Sequence, residues 1–381
     1  MKNYSAIILA AGYSSRMGSF KPIIKIEDKT PLQRCIELFR NCGINDITVV
    51  TGHLNECIEK ELNDIKKELK DNKIELNDIK IVFNNKYSEG MYSSIKVGVA
   101  SLSEEVDAFF ILPVDIPSVQ ESTLKKMMLS YEKIKDGIMY PTFAKETGHP
   151  TLVTYSLAQE ILNSNPKEGL RELLNNHKKQ WYYEIVTDRG ILLDMDTKED
   201  LKVLMDHISV YPCPDYLECM EILRLCNVNL ETIDHMKSVA EFAKQVSILL
   251  NENGCKLNIN YIYAGALLHD VAKGTKKHAL QGAKIVEEFG YKCLFEIIDE
   301  HMQLKTKYKI GEKQIVYLCD KLIKGKRLVT LNERFEDALS RYKDVPDILE
   351  KVNGKYMDAK IIKENIENIL GRSLESFSDK F

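Results

Sequence analysis

The chain has 381 residues, 44% hydrophobic and 29% charged, which is long enough for two domains that each bury a core. Its net charge of −4 excludes the strongly basic balance of a nucleic-acid binder. Its nine cysteines include no C-x-x-C pair, which argues against a zinc ribbon or thioredoxin-like chemistry, and their odd, scattered arrangement favours a reducing compartment. Because no apolar run approaches a membrane span and no signal peptide is recognisable, we expect a soluble, cytoplasmic protein without a nucleic-acid or membrane partner.

Strand-like and helix-like segments alternate in the first half of the chain. Strands are predicted at Tyr4–Leu9, Ile47–Thr51, Ile79–Phe83, Ala108–Leu112 and Gly137–Tyr140. Helices are predicted at Pro31–Asn41, Asn55–Lys70, Tyr92–Ser101 and Gln120–Lys135. This alternation predicts an α/β domain with a doubly wound, mostly parallel sheet, in which ligands bind outside the carboxyl ends of the strands. Gly12, Gly52 and Asp115 each follow a strand and should share that edge.

The first strand runs directly into a basic loop that contains two glycines. Gly12 and Gly18 let the backbone curl so that its N–H groups can converge on phosphate oxygens. Arg16 and Lys21 add two cations, which suit a triphosphate and its departing pyrophosphate. Five residues separate the glycines, whereas a P-loop needs four, and a dinucleotide fingerprint needs a third glycine. The alternative interpretation is an ordinary turn with solvated charges.

The loop matches the pattern L-A-A-G-x-S-x-R-M-G-x-x-K over residues 9–21. It therefore resembles the MobA-like nucleotidyltransferases, and most closely the molybdenum cofactor cytidylyltransferases, over about residues 4–206. Members with Gly-Gly in place of Ala11-Gly12 tend to use GTP, so the form found here resembles the pyrimidine branch and implies CTP, with another NTP as the alternative. The resemblance assigns Arg16 and Lys21 to catalysis. The nucleotide-binding residues that it implies in this loop are Leu9, Ala10, Ala11, Gly12, Ser14, Ser15 and Gly18.

Carboxylates in two further segments are predicted to hold Mg²⁺. Asp115 lies in P-V-D-x-P, where two prolines stiffen the exit from a strand, and this motif is the second hallmark of the family. Asp196 belongs to a segment that resembles the D-x-D-T of the family, with Asp194 beside it. The alternative for that segment is local, because Thr197 and Asp200 form a capping box for the helix that follows.

Two further segments resemble parts of the family that approach the substrates. The stretch 84–94 resembles the segment near the nucleotide base, and its Gly90, Ser93 and Ser94 open a predicted helix toward an anion. His149 lies in Gly-His-Pro, which resembles the G-x-P substrate loop of the family. The tripeptide alone indicates only a turn. All four residues are predicted nucleotide contacts.

The sequence pattern changes at Pro212 and Pro214, which end the preceding helix: few strand-like segments follow, and helical periodicity dominates. We predict a domain over residues 1–207, a linker over 208–214 and an all-α domain over 215–381. In the last of these, helical periodicity marks an apolar stripe from Val239 to Leu250 and helices at Tyr261–His269, Ala279–Phe289, Cys293–Glu300, Glu312–Ile323 and Met357–Leu370.

Histidines and aspartates recur through the helical half in the order H…HD…H…H…D. The run Leu267–Lys273, with its His-Asp pair, resembles the signature of the HD-domain metal-dependent phosphohydrolases. Imidazoles with carboxylates suit one or two divalent transition metals such as Mn, Fe, Co, Ni or Zn. Asp270 is expected to bridge the ions and Lys273 to bind a substrate phosphate. The ligands implied are His235, His269, Asp270, His278, His301 and Asp320.

These observations predict a bifunctional enzyme. The first half would transfer a cytidylyl group from CTP to a phosphorylated small-molecule acceptor, with molybdopterin favoured, and a molybdoenzyme would receive the product. The second half would hydrolyse a phosphate ester. Two alternatives stay open: the acceptor could be a sugar-, polyol- or alcohol-phosphate, and the HD half could be a regulatory nucleotide-binding module. The absence of G-x-S-x-G and of a cysteine in a catalytic setting argues against serine or cysteine hydrolases.

Overall fold

The chain forms two compact units, Met1–Ser209 and Val210–Phe381. The structure is a computed structural model that describes residues 2–14, 17–18, 20–71, 79–306 and 309–380. The last helix of the first unit extends to Val210, three residues into the stretch 208–214 that was predicted to be a linker. Across the described residues, every helix is too short or too polar to span a lipid bilayer.

A single eight-stranded sheet organises the first unit. Its strands are β1 (Tyr4–Ala10), β2 (Ile47–Thr51), β3 (Ile79–Phe83), β4 (Ala108–Pro113), β5 (Ile138–Phe143), β6 (Glu146–Thr147), β7 (Thr151–Thr154) and β8 (Trp181–Ile185). The strand order is β3-β2-β1-β4-β7-β5-β6, with β8 paired to β5. Strands β1 to β4 and the β5–β8 pair are parallel, whereas β7 runs antiparallel between β4 and β5. The predicted α/β class and mostly parallel sheet are confirmed, and the antiparallel strands β6 and β7 make the sheet mixed.

Helices cover both faces of this sheet. They are α1 (Pro31–Asn41), α2 (Asn55–Asp71), α3 (Met91–Ala100), α4 (Glu121–Tyr131), α5 (Ala158–Asn163), α6 (Leu170–Asn175) and α7 (Lys198–Val210). Strand β1 is central, so its side chains alternate between two cores: Ile8 packs into the cluster on one face and Ile7 into the cluster on the other. Burial on both faces fixes β1, and the loop that follows it therefore begins from a rigid edge.

In the part of the second unit that the structure describes, the regular elements are helices and one short hairpin. Its elements are α8 (Tyr216–Leu225), α9 (Leu230–Glu252), α10 (Ile259–Leu268), α11 (His278–Glu288), α12 (Phe295–Glu300), α13 (Glu312–Leu322), β9 (Ile323–Lys324), β10 (Arg327–Leu328), α14 (Leu331–Arg341) and α15 (Pro346–Leu370). The predicted apolar stripe lies in α9, where Val239, Phe242 and Val246 are fully buried. Helices α8 and α14 were not predicted, and α15 begins eleven residues before the predicted Met357. One core joins these helices.

Candidate active sites

The carboxyl edge of β1 and β4 opens into a cavity of about 350 Å³ in the first unit. The residues after β1 form one wall and the turn after β4 forms another, because the two strands are parallel neighbours that end at the same edge. The cavity therefore gathers residues that are distant in the chain. The predicted site residues that line it are Leu9, Ala11, Gly12, Ser14, Lys21, Gly90, Ser94 and Asp115.

Lys21 joins two of the predicted metal ligands. Its Nζ lies 3.1 Å from Asp115 Oδ2 and 2.5 Å from Asp196 Oδ1. Burial lowers the pKa of Lys21, but the two carboxylates raise it above its ordinary value, so the side chain is a cation. The lysine backbone N–H donates to Ser14 Oγ at 3.1 Å, which ties this cation to the glycine loop. Two carboxylates converging on one point offer the oxygen ligands that Mg²⁺ prefers.

Asp194 adds further negative charge beside this pair. Burial and the neighbouring Asp196 and Asp115 raise its pKa. Thr197 and Asp200 also form the capping box of α7, with Asp200 N–H donating to Thr197 Oγ1 at 3.1 Å. This segment therefore both caps α7, through Thr197 and Asp200, and reaches the site, through the contact of Asp196 with Lys21.

Several predicted nucleotide contacts lie outside the described lining of the cavity. Ala10 is buried in the sheet, and Gly18 occupies an exposed turn with φ of 69°. Ser93 Oγ donates to Gly90 O at 2.8 Å and accepts from Asn84 Nδ2 at 2.8 Å, so its hydroxyl stabilises the turn before α3. The predictions for Ser15 and Arg16 fall outside the described residues.

Two tyrosines that no motif marked also line the cavity. The rings of Tyr13 and Tyr87 lie 5.2 Å apart, and Tyr13 is half exposed. A Cβ on Gly52 would lie 2.6 Å from Tyr87 Cβ and 2.9 Å from Ala11 Cβ, so glycine is needed for Tyr87 to approach the loop. Tyr13 occupies a variable position of the loop pattern, so the pattern does not mark it. Tyr87 is distant in the sequence, and only the fold brings it to the cavity. The ring of Tyr13 is exposed and that of Tyr87 is partly buried, and both offer faces on which a base can stack.

A second cavity of about 540 Å³ adjoins the first and shares Leu9, Met91 and Pro113 with it. His149 lines this second cavity and not the first. Burial lowers the pKa of His149, so the ring is neutral near pH 7, and among the described residues its buried Nδ1 finds no hydrogen-bond partner. Aromatic and basic side chains that were not predicted complete the lining: Tyr92, Tyr140, Trp181, Arg171 and Lys178.

In the second unit, five helices bring the six predicted metal ligands together. His235 comes from α9, His269 and Asp270 follow α10, His278 begins α11, His301 follows α12 and Asp320 lies on α13. His235 Nε2 and His269 Nε2 lie 3.2 and 3.5 Å from Asp320 Oδ1. His278 Nε2 and His301 Nε2 lie 3.4 and 3.5 Å from Asp270 Oδ1. Asp270 Oδ2 lies 3.7 Å from His269 Nε2, so this carboxylate faces both groups of histidines.

Backbone carbonyls orient three of these imidazoles. The Nδ1 atoms of His235, His269 and His301 lie 3.1, 2.8 and 2.7 Å from the carbonyl oxygens of Gly325, Ala266 and Ile298. Each Nδ1 can therefore donate its proton to a carbonyl, and in the neutral ring this leaves the lone pair on Nε2. The Nε2 atoms of His269 and His301 are buried, and no described group satisfies them with a well-formed hydrogen bond. Unpartnered nitrogen lone pairs beside carboxylates fit a divalent metal ion.

The two aspartates of this cluster are held ionised. Burial raises the pKa of Asp270, but the neighbouring His301, His269 and Lys273 together hold it well below its usual range. Burial opposes ionisation of Asp320 in the same way, and Lys321 and His235 outweigh it, so its pKa is also well below normal. Lys273 Nζ donates to Asp270 Oδ2 at 2.7 Å, and half of its side chain is exposed. Both carboxylates are therefore ionised at neutral pH and can bind a cation.

Comparison with known proteins finds a region in each unit that matches a family model. Residues 6–181 match the family model described as the MobA-like NTP transferase domain, and residues 232–325 match the HD domain. The molybdenum cofactor cytidylyltransferase of Escherichia coli (strain K12) is 27% identical over 204 residues, which cover 52% of this chain and 94% of that protein. The probable molybdenum cofactor guanylyltransferase of Natranaerobius thermophilus is 27% identical over 218 residues, covering 52% and 94%. The crystal structure of Rv0371c from Mycobacterium tuberculosis H37Rv is similar with a TM-score of 0.43 and 21% identity, covering 54% of this chain and 98% of that one.

The HD cluster predicts how metal content responds to single substitutions. Asp270→Ala removes the carboxylate that faces both groups of histidines and should leave the protein almost free of transition metal. His278→Ala should remove only part of the metal, because His235, His269 and Asp320 stay together. Elemental analysis of protein purified with Mn²⁺ measures both effects.

His177→Ala is the matched control, since His177 pairs with Glu160 in the first unit. It should keep the full metal content. Unchanged metal in Asp270→Ala would contradict the placement of the ions at this cluster.

Proposed function

We propose that the chain is a bifunctional enzyme, in which a MobA-like NTP transferase domain, matched over residues 6–181, is joined to an HD domain, matched over residues 232–325. The first unit transfers a cytidylyl group from CTP to a phosphorylated acceptor and releases pyrophosphate. The second unit hydrolyses a phosphate ester. The convergence of Lys21, Asp115 and Asp196 beside the glycine loop is the observation that carries the transferase proposal.

In the transferase site, the loop after β1 supplies groups that bind phosphate. Lys21, Asp115 and Asp196 supply the charged groups. The backbone of Ala11 and Gly12 and the hydroxyl of Ser14 bind the triphosphate. Asp115 and Asp196 would hold Mg²⁺, which would neutralise charge on the phosphates. Lys21 contacts both carboxylates, and its ammonium group would stay within reach of the phosphate that leaves. Arg16 is assigned the same task from its place in the loop pattern.

The donor is proposed to be CTP because of the loop pattern, in which Ala11 stands where relatives that tend to use GTP carry a second glycine. Tyr13 and Tyr87 offer stacking faces to the base. The relative from Escherichia coli is named a cytidylyltransferase and the one from Natranaerobius thermophilus a probable guanylyltransferase, so GTP is the competing donor to test.

Molybdopterin is proposed as the acceptor, and the second cavity supports it over a sugar-, polyol- or alcohol-phosphate. Trp181 Nε1 donates to Leu174 O at 2.9 Å, which fixes the indole beside Tyr140 at a ring separation of 5.1 Å. Such rings favour a flat heterocycle over a chain of hydroxyls. Arg171 and Lys178 lie at the same cavity and suit the phosphate of the acceptor.

In the HD site, the unpartnered Nε2 atoms of His269 and His301 carry the proposal of a metal-dependent phosphohydrolase. A bound divalent metal supplies the activation of water and the polarisation of the phosphate. The chain contributes the ligands, and Lys273 draws the phosphate to the rim of the cluster. A regulatory module would not need all six ligand groups in contact, which favours catalysis over that alternative.

Replacing the bridging lysine should disable transfer without unfolding the protein. Lys21→Ala should lower cytidylyl transfer by about 100-fold or more, because the ammonium is preorganised against developing charge. Pyrophosphate release measures the rate, and circular dichroism monitors the fold. Lys25→Ala, at an exposed lysine four residues further on, is the control and should retain the parent rate. A parent rate in Lys21→Ala would contradict the assignment.

The identity of both substrates is tested by one set of assays. Pyrophosphate release is measured with CTP, GTP, ATP and UTP, each combined with molybdopterin and with sugar, polyol and alcohol phosphates. We expect CTP with molybdopterin to be turned over fastest. A preference for GTP would overturn the choice of donor, and faster turnover of a sugar phosphate would overturn the choice of acceptor, while both would leave the transferase activity itself in place.

A further inference from the structure

A guanidinium lies at the edge of the HD cluster and comes from a helix outside the region that matches the HD family. Arg334 is on α14, whereas the match ends at residue 325. Its Nη2 lies 3.9 Å from Asp320 Oδ1. The same oxygen is the one that His235 Nε2 and His269 Nε2 approach at 3.2 and 3.5 Å. Arg334 therefore reaches the point where these ligands converge.

The fold holds this arginine in place from its backbone. Thr330 and Glu333 form a capping box that fixes the first turn of α14. Leu331 and Phe335 are buried in the core of the unit, on either side of Arg334 in the sequence. A residue between two such anchors is positioned by packing, unlike an arginine on a loosely held surface helix.

Lys321 and Arg334, the two cations beside Asp320, differ in their freedom to bind a ligand. Lys321 Nζ donates to Asp320 Oδ2 at 2.8 Å and to His301 O at 2.6 Å, and its side chain is only 7% exposed, so it is committed to the protein. The 3.9 Å between Arg334 and Asp320 is too long for a hydrogen bond. The guanidinium makes no hydrogen bond to any described residue, and 32% of the Arg334 side chain is exposed. Its donors are free for a ligand.

We propose that Arg334 binds the phosphate group of the HD substrate on the Asp320 side of the cluster, as Lys273 does on the Asp270 side. The planar guanidinium matches two oxygens of a phosphate and binds them together. A divalent ion on Asp320 would take up the carboxylate charge and repel the guanidinium, which leaves an anionic ligand as its partner. This proposal rests on the phosphohydrolase function proposed above, and it defines the ligand as a phosphate held between cations on two sides.

The test measures binding of inorganic phosphate to the full chain loaded with Mn²⁺, by calorimetry, together with metal content. Arg334→Ala should bind phosphate about tenfold more weakly or worse, since a charge-assisted hydrogen bond is lost, while retaining its metal. Arg334→Lys keeps the charge without the planar fork and should lie between the two. Arg341→Ala removes an exposed arginine from the same helix and should bind phosphate as the parent does.

Each other outcome overturns the proposal in a recognisable way. Parent-like phosphate affinity in Arg334→Ala would show that the guanidinium does not contact the phosphate. Loss of metal in Arg334→Ala would make Arg334 a positioning residue for Asp320 instead. A parent protein that retains Mn²⁺ but binds no phosphate and hydrolyses no phosphate ester would overturn the phosphohydrolase function and this role together, before any substitution is made.

Discussion

The Nδ1–H groups of His269 and His301 donate to backbone carbonyls, and this turns the opposite nitrogen of each ring toward two aspartates inside the helical unit. A buried polar atom without a hydrogen-bond partner costs about 1–3 kcal/mol. The core of the second unit keeps both Nε2 atoms in that state. Binding of a divalent ion would offset the cost, because it would give both Nε2 atoms a partner beside the ionised carboxylate of Asp270.

Both sites are suited to a metal ion and a phosphate, but they use different kinds of ligand. At the sheet edge, Asp115 and Asp196 converge on the ammonium of Lys21, and oxygen ligands suit Mg²⁺. In the helical unit, imidazoles and carboxylates converge on one another and suit a transition metal. Each site places a cation within contact of its carboxylates, Lys21 in the first and Lys273 in the second. Both arrangements concentrate positive charge where a phosphate would bind.

The sequence was most informative where burial and motif coincide. Strand β1 and the loop after it were predictable because a continuous apolar run ends at a glycine. The short antiparallel β7 was not, since four residues carry no usable periodicity. Helices α8 and α14 did have a readable signal that was overlooked: Asp215 with Glu218, and Thr330 with Glu333, are capping boxes.

Side chains that line the cavities from distant elements could not be predicted from one sequence. Trp181 and Tyr87 carry no motif, and only the packing of the sheet and its loops brings each to a cavity. Arg334 was missed for a related reason, because its helix was not predicted. A motif identifies a site residue from its neighbours in the sequence, whereas these residues reach their sites only through the tertiary structure.

The central claim is that one chain carries two chemically separate active sites, and crossed substitutions test it most directly. Cytidylyl transfer with Mg²⁺ and hydrolysis of p-nitrophenyl phosphate with Mn²⁺ are measured in Asp115→Ala, in Asp270→Ala and in the parent. The account predicts that Asp115→Ala loses transfer and keeps hydrolysis, and that Asp270→Ala loses hydrolysis and keeps transfer. Loss of both activities in either variant, or of neither, would contradict it.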